Sequence, residues 1–220
     1  MPYSNERKLS LSAWLKNNSR AEYQTPLKLQ KFLFFYESFS KVAGEKADFD
    51  RLRGYKNGPV FSTVWGDYTK ERAAFEIAAD RSLAQYGAQI NSSRAKQCAF
   101  IVATQSEKEL SDLTHCMNVW KAKEHLIMSG YYQVPLDEAD FNEDDTRIIK
   151  TLEKIYPIEL VESSKVIDID NFYFIFNNDD FPKLTAEHID TLVALAHAGD
   201  GSLHNPIFTE FDEDGRLVID

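Results

Sequence analysis

Only two cysteines, Cys98 and Cys116, occur in 220 residues, and they form no C-x-x-C pair. That excludes a disulfide framework and a thiolate metal cage, and it fits reduced thiols in a cytosolic protein. Long apolar runs are missing too. The stretch 98–103 is about the longest, far short of the ~20 residues that cross a bilayer. Glu6, Arg7 and Lys8 have no apolar stretch behind them, which predicts no secretory signal, no membrane partner and a cytoplasmic location. Basic residues are outnumbered, 25 Lys and Arg against 35 Asp and Glu for a net charge of −10, and no dense basic run offsets the deficit. Such a chain repels phosphates, which argues against direct nucleic-acid binding. No G-x-S-x-G elbow, P-loop or G-x-G-x-x-G is found, so neither an activated serine nor a phosphate cradle is indicated.

What is present is material for a core. Hydrophobic residues make up 43% and aromatics 13%, enough to rule out global disorder. The length suits one domain, or a domain with a substantial appendage. Charge is distributed unevenly. Residues 1–100 carry 16 basic and 10 acidic side chains, residues 101–220 carry 9 and 25. The acidic half suits either a solvated surface or the electrostatic steering of a basic protein partner.

Periodicity predicts an α+β fold that is predominantly helical, with helices over 6–16, 25–43, 71–84, 94–104, 106–115 and 118–128. The second of these is the most distinctive. Thr25 stands at the N-cap, Pro26 in the first turn, and Gly44 beyond the end. Its apolar set is Leu27, Leu29, Phe32, Leu33, Phe34, Phe35, Tyr36 and Phe39, too wide for a surface stripe, so several neighbours must bury it. Residues 57–59 read as a turn, with Pro59 opening the next helix. After Gly130 an acidic connector leads to a helix over 142–155. Strand-like runs follow at 159–161, 166–169 and 172–176, then a helix from a Thr185 cap that Gly199 to Gly201 end. A hairpin across Asp212 to Gly215 closes the chain. The division expected is a helical part, 1–130, and an α/β extension, 131–220, which can share one core.

Three blocks in the helical part resemble the Panacea domain, a family that includes SocA-like antitoxins. They are Leu27-Lys28-Leu29-Gln30-Lys31-Phe32-Leu33 with Tyr36, then Tyr55-Lys56-Asn57-Gly58-Pro59-Val60, then Leu110-Ser111-Asp112-Leu113-Thr114-His115 with Trp120. The likeness covers about residues 8–125. It implies an antitoxin or adaptor that neutralises a toxin encoded nearby by direct contact, in some members by delivering it to a ClpXP-type protease. Others are similar to stand-alone phage-associated proteins.

The candidate partner-binding or signature residues are therefore Lys28, Lys31, Tyr36, Tyr55, Gly58, Pro59, Thr114, His115 and Trp120. Each also has a plainer role. The Lys28 and Lys31 stems are expected to cover apolar neighbours while their ammonium groups reach water. Gly58 and Pro59 fix a corner. Thr114 is read as a cap with His115 as its partner. No catalytic, cofactor or metal residues are assigned. The alternative to a binding protein is a small hydrolase that draws on His115 or on His197 and His204.

Overall fold

Phe32, Leu33, Phe34 and Phe35 are consecutive and each is 0% exposed. A helix buries four consecutive side chains only when neighbours cover it on all sides. The computed structural model describes residues 2–198 and 203–219. In chain order its elements begin with α1 (Glu6–Asn18), α2 (Arg20–Gln24), α3 (Pro26–Val42), β1 (Leu52–Tyr55) and β2 (Gly58–Phe61). They continue with α4 (Ser62–Lys70), α5 (Arg72–Tyr86), α6 (Ser92–Ala103), α7 (Glu107–His115), α8 (Asn118–Lys121), α9 (Glu124–Met128) and β3 (Val134–Pro135). The remainder is α10 (Glu143–Ile155), α11 (Ile158–Ser163), β4 (Ser164–Ile169), β5 (Phe172–Asn177), α12 (Ala186–Ala198), β6 (Ile207–Phe211) and β7 (Leu217–Ile219). The fold is α+β and predominantly helical, and among the described residues no helix is long and apolar enough to cross a membrane.

Helix α3 is the axis. It packs on α1, α2, α6, α10 and β2, while α1 lies along α5. Pro26 occupies the first helical position and Gly44 follows the end with φ +72°. Thr25 sits at the N-cap but its hydroxyl donates to the Ala21 carbonyl at 3.3 Å, because the unforeseen short helix α2 ends directly before it. A buried ionic cluster anchors α1 to α3. The carboxylate of Glu37, 0% exposed, takes bonds from Lys8 Nζ at 2.6 Å and from Arg7 Nε and Nη2 at 2.8 and 2.9 Å.

The first sheet has the order β2-β1-β3, all antiparallel. Residues 56 and 57 form its tight turn, and Pro59 pairs with Gly54 inside β2 rather than opening a helix. An edge strand tolerates proline because its outer N–H groups need no ladder partner, and α4 starts only at Ser62. The helix expected over 118–128 is two short helices, α8 and α9. The expected strand at 159–161 is the helix α11, with Pro157 at its N-cap. Both segments are short, and tertiary packing overrides propensity there.

The second sheet has the order β4-β5-β6-β7, with β5 and β6 parallel across α12 and β6–β7 a hairpin. Alternate side chains of β5 serve opposite faces. Ile175 joins the main core, whereas Phe174 and Phe176 pack with Leu192 of α12 and Ile207. Thr185 Oγ1 accepts from His188 N at 3.3 Å at the start of α12; the glycine stop expected after it lies outside the described residues. The helical core runs past residue 130. Val134 pairs with Gly54 through β3, and Ile149, Leu152 and Tyr156 belong to the main cluster. The part that bears the second sheet therefore begins near Ser164 and shares packing with the rest. Replacing Phe35 by Ala is expected to lower unfolding stability by about 3–5 kcal/mol, measured by denaturant titration; a loss under about 1 kcal/mol would show that α3 is not central.

Candidate functional site

The three sequence blocks meet at the ammonium of Lys31. The side chain is 1% exposed and leaves α3 toward the β1–β2 turn. Its Nζ donates to the Asn57 carbonyl at 2.5 Å and to Thr114 Oγ1 at 2.9 Å. Thr114 lies in the last turn of α7, where its hydroxyl is also 3.0 Å from the carbonyls of Leu110 and Ser111. Thr114 thus partners Lys31, not His115, and is not a cap.

Gly58 explains how the turn comes so close. A Cβ there would stand 2.1 Å from Lys31 Nζ and 2.5 Å from Thr114 Oγ1, and φ is +101°. Both sterics and backbone conformation demand glycine. The Asn57 carbonyl also receives the Ser111 hydroxyl at 3.3 Å, and the Tyr55 carbonyl receives Trp120 Nε1 at 3.0 Å. One hairpin turn is therefore held by α3, α7 and α8 together.

Trp120 is fixed from both sides. The His115 ring stacks on it at 4.0 Å between centroids. Asp145, buried in the first turn of α10, accepts the N–H groups of Asn118 and Val119 and so holds the start of α8. Among the described residues His115 Nε2 is buried without a hydrogen-bond partner. Burial first, and the Lys31 charge second, push the His115 imidazole below its ordinary 6.5.

Lys31 differs from the other buried cations. Lys8 has the carboxylates of Glu37 and Asp48, and Arg94 has Glu45. Lys31 has two neutral oxygens, and burial alone pushes its amine down to about 7. Desolvation disfavours the charged form, and among the described residues no carboxylate pairs with it to offset that cost. Lys28 is buried as well, with Nζ 3.2 Å from the Tyr173 hydroxyl and 4.5 Å from that ring's centre. Burial lowers its pKa. It ties α3 to β5 and is remote from the hairpin turn in role. The expectation that both ammonium groups reach water is thus wrong, because the space around α3 is closed at both positions.

Tyr36 sits elsewhere again. Its hydroxyl accepts the Asn91 N–H at 2.9 Å, and the guanidiniums of Arg7 and Arg94 lie 5.4 and 5.6 Å from its ring. Pro59 and Tyr55 line a cleft of about 370 Å³ beside Lys31. Its other walls are Pro26, Leu27 and Gln30 of α3, Val60 of β2, Trp65 of α4 and Glu107 of α7. The Trp65 side chain is 37% exposed. Sequence reasoning missed Gln30, Ser111, Asp145 and Trp65. Gln30 could have been flagged as a polar residue inside an apolar run; its Oε1 accepts the Phe61 N–H at 2.8 Å.

Three other histidines do not join this group. His197 Nε2 is 2.6 Å from Asp170 Oδ2, both largely exposed, His188 packs on Phe211, and His204 is exposed. Among the described residues no three His, Cys, Asp or Glu side chains converge as a metal set.

Gly58→Ala is expected to cost more than about 1 kcal/mol, seen as a drop of several degrees in Tm; an unchanged Tm would mean the turn is not packed against Lys31. The Lys31 amine also predicts a pH dependence. Its folded pKa of about 7 lies below the ordinary 10.5 of a lysine in water, so between these values the unfolded chain holds more protons. Stability therefore rises with pH across that window, by about 1.4 kcal/mol per unit at most; it falls as pH is lowered from 10.5 and levels off below about 7. Lys31→Met is expected to lack this slope; equal slopes in both proteins would refute it. Comparison with protein-family models, with curated proteins and with solved structures gives no match.

Proposed function

We propose that the protein is a cytoplasmic binding module that captures a partner protein by direct contact, as an antitoxin or an adaptor for a ClpXP-type protease does. One observation carries this reading. Bonds from Lys31 to Asn57 and Thr114, and from Trp120 to Tyr55, join the three signature blocks, and the structure they brace ends in an open apolar cleft with a partly exposed Trp65 at its wall. Tryptophan beside an apolar pocket is the kind of anchor that dominates binding energy at protein interfaces. The acidic second half would speed encounter with a basic partner.

The hydrolase alternative has less to draw on. A general base must reach both substrate and an orienting group. His115 is stacked on Trp120, and His197 pairs with Asp170 on an exposed surface. Neither faces the cleft beside Lys31 as a lining residue.

Co-expression with the product of the adjacent open reading frame tests the proposal. The expected outcome is a stoichiometric complex on purification and restored growth of cells that carry the neighbour's product. Trp65→Asp is expected to weaken the complex at least roughly tenfold with an unchanged Tm. Absence of both complex and growth rescue would contradict the proposal.

A further inference from the structure

The Lys31 ammonium is a buried cation with an unfilled requirement. A lysine has three N–H donors, and Lys31 uses one on the Asn57 carbonyl and one on Thr114 Oγ1. Among the described residues it makes no ion pair with a carboxylate, in contrast to Lys8 and Arg94. The same side chain lines the apolar cleft. Acidic Glu107 lines that cleft too, yet it forms no bond to Lys31.

The edge of β2 narrows what can enter. A partner that added a strand would need free N–H groups along that edge. Pro59 has none, and the Phe61 N–H is already held by Gln30. Side chains, not backbone, must therefore supply recognition here. The walls ask for apolar groups, and the buried amine asks for an anion.

Resting on the binding-module reading, we infer that the cleft receives an apolar segment of the partner protein that carries one glutamate or aspartate, and that this carboxylate pairs with Lys31. The pair forms in a largely water-excluded place, where truncating either member costs far more than at a surface. Binding then couples to protonation. A carboxylate requires the ammonium form, so above about pH 7 the free amine must take up a proton when the segment docks. The other titratable groups around Lys31 are Tyr55, Lys56 and Glu107, which line the cleft, and His115, which lies outside its lining. His115 is held below 6.5 and Tyr55 above 10.0, so neither changes charge between pH 7 and 9.

The probes are acetyl-Leu-Glu-Leu-amide and its isostere acetyl-Leu-Gln-Leu-amide, titrated into the full chain and followed by the Gly58 amide and Trp65 indole NMR signals. The glutamate peptide is expected to bind roughly tenfold or more tightly than the glutamine peptide at pH 6.5. Its advantage should shrink steadily from pH 7 to 9 and disappear in Lys31→Met. Equal binding of the two peptides to the wild-type chain would overturn the inference, as would no shift of either signal at millimolar concentration. A partner that co-purifies equally well with wild type and with Lys31→Met would remove the carboxylate pairing while the binding-module reading stands.

Discussion

An amine with no counter-charge among the described residues, that of Lys31, draws three separate parts of the chain to one point. Asn57 in the first hairpin and Thr114 in α7 give it oxygens, and Gly58 gives it room. Burying an ammonium without a carboxylate is costly. The cost is moderated because the neutral amine is accessible near pH 7. Hydrophobic burial around α3 must supply the surplus that keeps the arrangement closed, and a run of four wholly buried side chains shows where it comes from. Remove the packing and the amine returns to water; enlarge Gly58 and the turn cannot approach.

The rest of the helical part stabilises that point in layers. Trp120 reaches the same turn through the Tyr55 carbonyl, His115 stacks on Trp120, and Asp145 fixes the helix that bears Trp120. Because Asp145 belongs to α10, residues beyond 130 are needed to complete a site whose sequence signature ends near 120. Lys28 then joins α3 to β5 through Tyr173, so the second sheet bears on the same helix. Two lysines three residues apart thus perform unlike tasks: one braces the hairpin, the other couples the two parts of the chain.

Much of this was legible in the sequence, for identifiable reasons. The axis helix declared itself by Pro26, Gly44 and an apolar set too wide for a surface. The βαβ-like end showed in the run Phe172 to Phe176, the Thr185 cap and the hairpin turn at Asp212 to Gly215. Pro59 is ambiguous in sequence because proline opens helices and also occupies edge strands, and only the pairing with Gly54 decides between them. Residues 159–161 looked like a strand because three residues are too few to show a period. The convergence of Lys31, Gly58 and Thr114 could not be read from spacing, since no local rule states which turn a buried lysine will meet. For the same reason the lysine ammoniums were expected in water, the usual outcome for long cationic side chains.

The protonation state of Lys31 in the free protein tests the central claim most directly. Lysine side chains labelled with carbon-13 at Cε report each amine separately by NMR as pH is raised. The account predicts one lysine, assigned to Lys31 by its absence in Lys31→Met, that titrates near pH 7. Titration of Lys31 at or above the ordinary 10.5 would contradict it, because a carboxylate or water would then have to hold the charged amine in the free protein.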